Sequence, residues 1–344
     1  MRFSICIPNF NYAQYLELTL ESVLKQEHAD FEICVADNNS TDGSQEVIRR
    51  FEGKYARIKS RFNPSNLGFS DNLLAVSQMA AGDWHILLSS DDLINPGALE
   101  VYERFIKTIG NAGRFAFSSA CDLIDGHGKI TGYVGPRSKM WFPADIDAEL
   151  SKTLGYKVYR VSSADMMRRC LSTYYGFFNF AATCYSAKSY EAAGGYIGGR
   201  MYSPDKWFHW RLLSVVDEVF FIDAPLFSYR WHAQNQAALQ QKSRALKYLV
   251  DEYRNVFETT AEMLHLASMT TEQMQRNFIE EVIVKQAFAA LKRNQRPEAR
   301  RILHFGMAAY PQLTWRSFYA WALWGSLLLG PLGTWIAKRL KPGF

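Results

Sequence analysis

Four short apolar runs in the first ninety residues each lead into a polar, turn-forming cluster or a loop. Phe3 to Ile7 runs into Pro8-Asn9-Phe10-Asn11, and Phe31 to Ala36 into Asp37-Asn38-Asn39-Ser40-Thr41-Asp42-Gly43-Ser44. A weaker run spans Ile58 to Phe62, and Trp84 to Leu88 stops at Ser89-Ser90-Asp91-Asp92. Helical stripes lie between them: Leu16, Leu20, Val23 and Leu24 fall at i, i+4, i+7 and i+8, and a second helix is expected from about Ser70 to Ala81. Strand-helix-strand repetition of this kind predicts an α/β fold with a mostly parallel sheet and helices on both faces.

Such a sheet binds ligands beyond the carboxyl ends of its strands, where the acidic clusters fall. An acid after one strand can accept hydrogen bonds from a nucleoside. A carboxylate pair after another can hold a hard divalent cation that bridges protein to phosphate. Each cluster alone also reads as a turn former or a helix cap.

Further along, Gly126 to Tyr159 shows no firm periodicity and reads as a long ordered loop or a link. From Ala237 to Leu303 the pattern is helical, with Leu246, Leu249, Val250, Tyr253 and Phe257 expected on one packed stripe. Ser317 to Ala337 carries no charge and is crowded with aromatic residues and leucine, and Lys338, Arg339 and Lys341 follow it. The length suits a membrane span. Gly325, Gly330, Pro331 and Gly333 interrupt it, and a span would put the cations against the positive-inside tendency. We expect an interfacial or re-entrant segment, with Trp321, Trp324 and Trp335 at headgroup depth and the cations on anionic lipid. The bland alternative is a buried core helix.

Composition sets limits. Hydrophobic residues make up 48% and charged residues 21%, which argues against general disorder. A net charge of +5 falls short of a nucleic-acid-binding signature but suits anionic substrates or lipid. The five cysteines form no CxxC pair, so neither a disulfide framework nor a zinc site is expected. No secretory signal pattern opens the sequence, and a cytoplasmic setting is expected.

Taken together, Ser4 to Asn11, Tyr15-Leu16 through Ser22 to Gln26, Val35 to Ser44, Asn66-Leu67-Gly68-Phe69-Ser70, Gly82-Asp83-Trp84 and Ser89-Ser90-Asp91-Asp92 closely resemble the opening of the family 2 glycosyltransferases. The resemblance is strong over about residues 3 to 110 and moderate over 194 to 236. It implies a GT-A (Rossmann-like) fold with an acceptor-binding region and a C-terminal helical extension. The division expected is 1–235 catalytic (1–110 nucleotide-binding, 111–235 acceptor-binding), 236–316 helical and 317–344 membrane-associating.

It further implies inverting transfer of a sugar from a nucleotide-sugar donor to an acceptor hydroxyl. The acceptor expected is a lipid-linked glycan of cell-surface polysaccharide synthesis, reached at the cytoplasmic membrane face with Mg²⁺ or Mn²⁺ as cofactor. Carried over, Pro8, Phe10 and Asn11 line the base and ribose pocket, Asp37 contacts the nucleoside, and Asn38, Asn66 and Gly68 belong to the same pocket. Asp91 lies near the ribose, Asp92 is the metal ligand and Asp205 the catalytic base. Arg230 or His232 meets the diphosphate or acceptor. This chain departs from the family pattern in Asn38, Ser89 and Pro204, each of which replaces a usual acid. Two other readings remain: an inactive nucleotide-sugar-binding relative, favoured by Ser89 and Pro204, and a sugar nucleotidyltransferase. The latter is weakened by a first loop without Gly or a cation.

Overall fold

The computed structural model describes residues 1–27, 30–110, 114–199, 203–232, 235, 245–333 and 335. The chain divides into two compact units, Met1–Met166 with Gly176–Asn235, and Met167–Tyr175 with Gln236–Phe344.

The first unit is built on a ten-stranded sheet. Its parallel half is β3 (Ile58–Phe62), β2 (Phe31–Asp37), β1 (Phe3–Asn9) and β4 (Trp84–Leu87), in that spatial order. β1 and β2 are buried along their whole length, the signature of strands covered on both faces. The covering helices are α1 (Ala13–Leu24), α2 (Ser44–Lys54) and α3 (Phe69–Ser77), the last shorter than its sequence pattern. Glu32 is a buried charge in the middle of β2, with Asp37 at its end. It survives burial because Arg2 and Lys59 pair with it at 2.9 Å and Ser4 Oγ and the Ala81 N–H donate to it at 2.7 Å.

Beyond β4 the sheet turns mixed. β5 (Leu93–Ile94) and α4 (Ala98–Ile109) lead to β6 (Phe115–Ile124), which forms a hairpin with β7 (Ile130–Val134). A short 3₁₀ turn, α5 (Ala148–Leu154) and β8 (Lys157–Ser162) follow. The stretch read from sequence as a loop therefore holds two strands and a helix. Gly132, Gly135, Pro136 and Pro143 break its apolar periodicity, and β7 is largely exposed, so no alternation marks it. After α6 (Ser163–Thr173) come β9 (Cys184–Ser186), α7 (Ala187–Ala192), α8 (Pro204–Leu212) and the long β10 (Glu218–Arg230). β10 pairs with β6 in parallel and with β5 and β8 in antiparallel fashion, ending beside the carboxyl end of β4.

The second unit is helical: α9 (Ala245–Glu258), α10 (Ala261–Leu266) and α11 (Thr271–Asn277), which runs through a π-helical segment Phe278–Val284 into α12 (Lys285–Lys292). Then come α13 (Arg296–Ala309), α14 (Pro311–Arg316) and α15 (Phe318–Leu328). The packed stripe of α9 differs from expectation. Leu249, Glu252, Asn255 and Val256 are buried, while Val250 and Phe257 are exposed. Among the described residues no helix is long and apolar enough to cross a membrane. Of the three tryptophans expected at headgroup depth, Trp321 and Trp335 are exposed, but Trp324 packs edge-on against His304. Lys338, Arg339 and Lys341 lie outside the described residues.

Candidate active site

The loops after β1 and β2 are sewn together by side chains. Asn11, at φ 57°, takes the left-handed conformation that Asn tolerates. Its N–H donates to Ser40 Oγ at 2.9 Å and its Oδ1 accepts from the Thr41 N–H at 2.8 Å. Asp42 accepts from the Ala13 N–H at the start of α1. Pro8 is buried in β1, whereas Phe10 stands 39% exposed at the strand end.

Asp37, expected to touch the nucleoside, is fully buried and occupied within the loop. Asn9 Nδ2 donates to it at 2.8 Å, the Ser40 N–H at 2.9 Å and Gln45 Nε2 at 3.0 Å. Three donors on one carboxylate fix the loop's shape. Asn38 is likewise internal. Its amide donates to Asn66 Oδ1 at 2.9 Å and the Gly68 carbonyl at 3.2 Å, while its oxygen accepts from the Leu67 N–H at 2.9 Å. An aspartate here could only accept, which explains why the chain carries Asn. Asn66 stays exposed, and Gly68, at φ 89°, supplies the turn into α3.

At the end of β4, Ser89 Oγ donates to Asp91 Oδ1 at 2.5 Å. His232 Nε2 lies 3.0 Å from Asp91 Oδ2, with both side chains largely buried. Asp92 points elsewhere. Its Oδ1 accepts from the Arg230 N–H at 2.8 Å, and its Oδ2 is buried without a hydrogen-bond partner. Burial, and then the neighbouring Asp91, hold the Asp92 carboxyl well above the usual range, against the opposing pull of Arg230. Arg230 is 1% exposed. Its Nε donates to the Asp91 carbonyl at 2.7 Å, its Nη1 to the Asp125 carbonyl at 3.1 Å, and its guanidinium sits 4.7 Å from the Tyr15 ring centre. So Arg230, one of the two residues expected at the diphosphate or acceptor, is a buried brace that joins the end of β10 to the loop after β4.

Tyr12 and Tyr15 bracket the His232 ring, with centroids 5.7 and 4.9 Å away. Neither was picked out from sequence as a site residue. Their place in the turn after β1 and the first turn of α1, beside Phe10 and Asn11, was the available signal. Asn72 was also missed: its amide donates to the carbonyls of Asn9 and Ala36, tying α3 across β1 and β2.

Asp205 belongs to a second group. It is the second residue of α8, half-buried, after Pro204 at the helix start, where proline's fixed φ is favourable. Burial pushes its carboxyl up from the ordinary value, while the N–H groups of Lys206 and Asp205 and the cations Arg137 and Lys206 pull it down.

With this geometry in view, the protein-family model described as glycosyl transferase family 2 matches residues 4–169. Over that stretch this chain is similar to glycosyl transferase family 2. Abequosyltransferase RfbV of Salmonella typhimurium is 38% identical over 109 residues, 31% of this chain and 33% of that protein. Chondroitin synthase of Pasteurella multocida is 34% identical over 105 residues, 30% of this chain and 11% of that one. The chain thus matches about a third or less of the length of these two relatives. Among solved structures, S. aureus TarS 1-349 in complex with UDP-GlcNAc superposes with a TM-score of 0.65 at 15% identity, over 98% of this chain and 90% of that one. The mannosyltransferase PcManGT of Pyrobaculum calidifontis, in complex with GDP-Man and Mn²⁺, gives 0.53 at 14% identity, over 98% and 83%. The chain accordingly has the GT-A fold.

Proposed function

We propose that this chain is an inverting glycosyltransferase that moves a sugar from a nucleotide-sugar donor to an acceptor hydroxyl of a lipid-linked glycan, at the cytoplasmic membrane face. The observation that carries the reading is the Asp91–His232 pair, set at the carboxyl end of β4 alongside the ordered nucleotide loop. The pair offers a divalent cation one carboxylate and one imidazole nitrogen. Among the described residues no group of three or more His, Cys, Asp or Glu could hold one, so the donor's phosphates would complete the set. We assign Asp91 and His232 to hold Mg²⁺ or Mn²⁺, in place of Asp92, whose inner oxygen is committed to the Arg230 N–H. The bound cation would neutralise charge on the leaving diphosphate. Phe10, Asn11, Asn66 and Gly68 form the nucleoside pocket, shaped from behind by Pro8, Asp37 and Asn38.

Asp205 removes the acceptor proton. The acceptor oxygen attacks the anomeric carbon, and the bond to the diphosphate oxygen breaks on the opposite face. Its carboxyl, raised by burial, is a stronger base than a free aspartate. The two departures that favoured an inactive relative have local reasons here. Ser89 donates to Asp91 where an acid would repel it, and Pro204 starts α8.

The test is thermal denaturation with nucleoside diphosphates and their sugars, with and without Mn²⁺. One nucleotide should raise the wild-type melting temperature only with metal, and Asp91→Asn should abolish that metal dependence. An unchanged Mn²⁺ response in Asp91→Asn removes Asp91 from the metal site.

A further inference from the structure

Charge along this chain is unevenly placed. Residues 1–235 hold 24 lysines and arginines against 26 acids, whereas residues 236–344 hold 15 against 8. From Lys285 onward there are ten cations and a single acid, Glu298. The uncharged aromatic stretch lies inside this basic run.

The structure shows how that stretch is held. α15 packs on α13 and the π-helical segment through Ala320, Leu323, Ser326 and Leu327. Both its ends are tied: Ser317 Oγ caps the start, accepting from the Ala320 N–H at 3.1 Å, and Arg296 donates to the Leu327 carbonyl. Held this way, the helix leaves Phe318 78%, Leu328 82% and Leu332 57% exposed. Trp315 and Trp321, both exposed, form a pair with ring centres 4.5 Å apart, fixed by a 2.8 Å bond from Trp321 Nε1 to the Trp315 carbonyl. An apolar patch so ordered marks an interaction surface.

The occupant follows from length and charge. At 11 residues α15 is about 16 Å long, half of a bilayer's hydrocarbon thickness, so it cannot cross. Arg300, Arg301 and Arg316 are exposed on the elements that lead into it. A second copy would bring the same excess of cations, ten against Glu298 from Lys285 onward, and no surplus of acids to meet it. A layer of anionic headgroups above acyl chains matches both features: apolar rings reach the acyl boundary and guanidinium groups meet phosphate.

We propose that α14, α15 and the flanking arginines form a monotopic face that seats the protein on an anionic lipid surface, with α15 lying in the plane of the interface. The proposal stands independently of the catalytic reading, because vesicle binding needs neither donor nor acceptor.

The experiment is flotation of the full chain with phosphatidylcholine vesicles, with and without phosphatidylglycerol. The chain should float with the anionic vesicles, less with neutral ones, and less as salt rises. Phe318→Ser combined with Leu328→Ser and Leu332→Ser should lower binding by roughly tenfold or more. Arg300→Gln with Arg301→Gln should lower it by a similar factor at low salt and remove most of the salt sensitivity. All three side chains of the first variant are exposed, so its melting curve should match the wild type. If it melts early, the arginine variant and Phe318→Ser alone decide. Three outcomes overturn the proposal: a wild-type chain that ignores anionic vesicles, variants that float like the wild type, or a wild-type dimer that the triple variant splits while vesicles stay unbound. The last would make the face an interface between copies.

Discussion

Asp205 gains its character from two opposing surroundings. Burial disfavours its charge, and the first turn of α8 with Arg137 and Lys206 restores part of it. Asp205→Asn keeps the shape and removes the proton acceptor. Transfer should fall by about 10²–10⁴-fold while donor affinity holds. Transfer at the wild-type rate would assign the base to another group. His85, on β4, shows the same physics with the opposite sign. It is 4% exposed, and burial pushes its imidazole down to about 4, with Glu32 and the Gly82 backbone opposing weakly. A base whose folded value is depressed gives full stability above its unfolded value, about 6.5, and loses it as pH falls toward 4. Stability should drop by roughly 2 kcal/mol between pH 7 and pH 5 from this group alone. His85→Phe, which can pack against Tyr185 and Tyr190, should flatten that part of the profile in urea titrations. An equal slope in wild type and variant would refute the assignment.

At the scale of elements, the helix after the nucleotide loop is linked to the segment that leads to α8. Asp71, in the first turn of α3, accepts from the Gly199 N–H at 3.2 Å, and Gly198 lies directly against its carboxylate. A Cβ on Gly198 would stand 2.0 Å from Asp71 Oδ1. Gly198→Ala must therefore displace the carboxylate and break the bond. Gly198→Ala and Asp71→Ala should each cost about 1 kcal/mol, and the double variant should cost no more than either alone. Additive losses in a double-mutant cycle would show that the two residues act separately. Asn38, in turn, is legible in the sequence only as a departure: its donor and acceptor roles appear once Asn66, Leu67 and Gly68 come back across from β3 to meet it.

At the scale of the molecule, α6 passes from one unit to the other. Its last turns and the residues after them, Met167–Tyr175, belong to the helical unit. Tyr174 Oη donates to the Met274 carbonyl at 3.1 Å, its ring packs on Phe278, and Asn277 Nδ2 donates to the Leu171 carbonyl at 3.2 Å. Cutting the chain after Asn235 would strip this segment of its packing. The fragment 1–235 should be poorly soluble or melt well below the full chain, although the sequence pattern places a domain boundary there. A fragment as stable as the whole, measured by circular dichroism, would show that Met167–Tyr175 needs no partner.

The sequence by itself determined the parallel half of the sheet, because strands buried on both faces must be apolar and must end in polar turns. It also carried the resemblance to family 2, through short motifs whose order survives in the chain. Tertiary structure decided which side chains in those motifs face outward. Asp37, Asn38 and Arg230 are the same residue types whether they meet a ligand or a backbone, and burial with saturated hydrogen bonds places them inside. Asp91 and Asp92 are adjacent in the chain, so no spacing rule separates them. The end of β10 does, by bringing the Arg230 N–H to one and His232 to the other across 138 and 141 residues. Likewise the aromatic stretch of α15 has one composition whether buried or exposed, and only its packing through Ala320, Leu323, Ser326 and Leu327 settles which rings meet solvent.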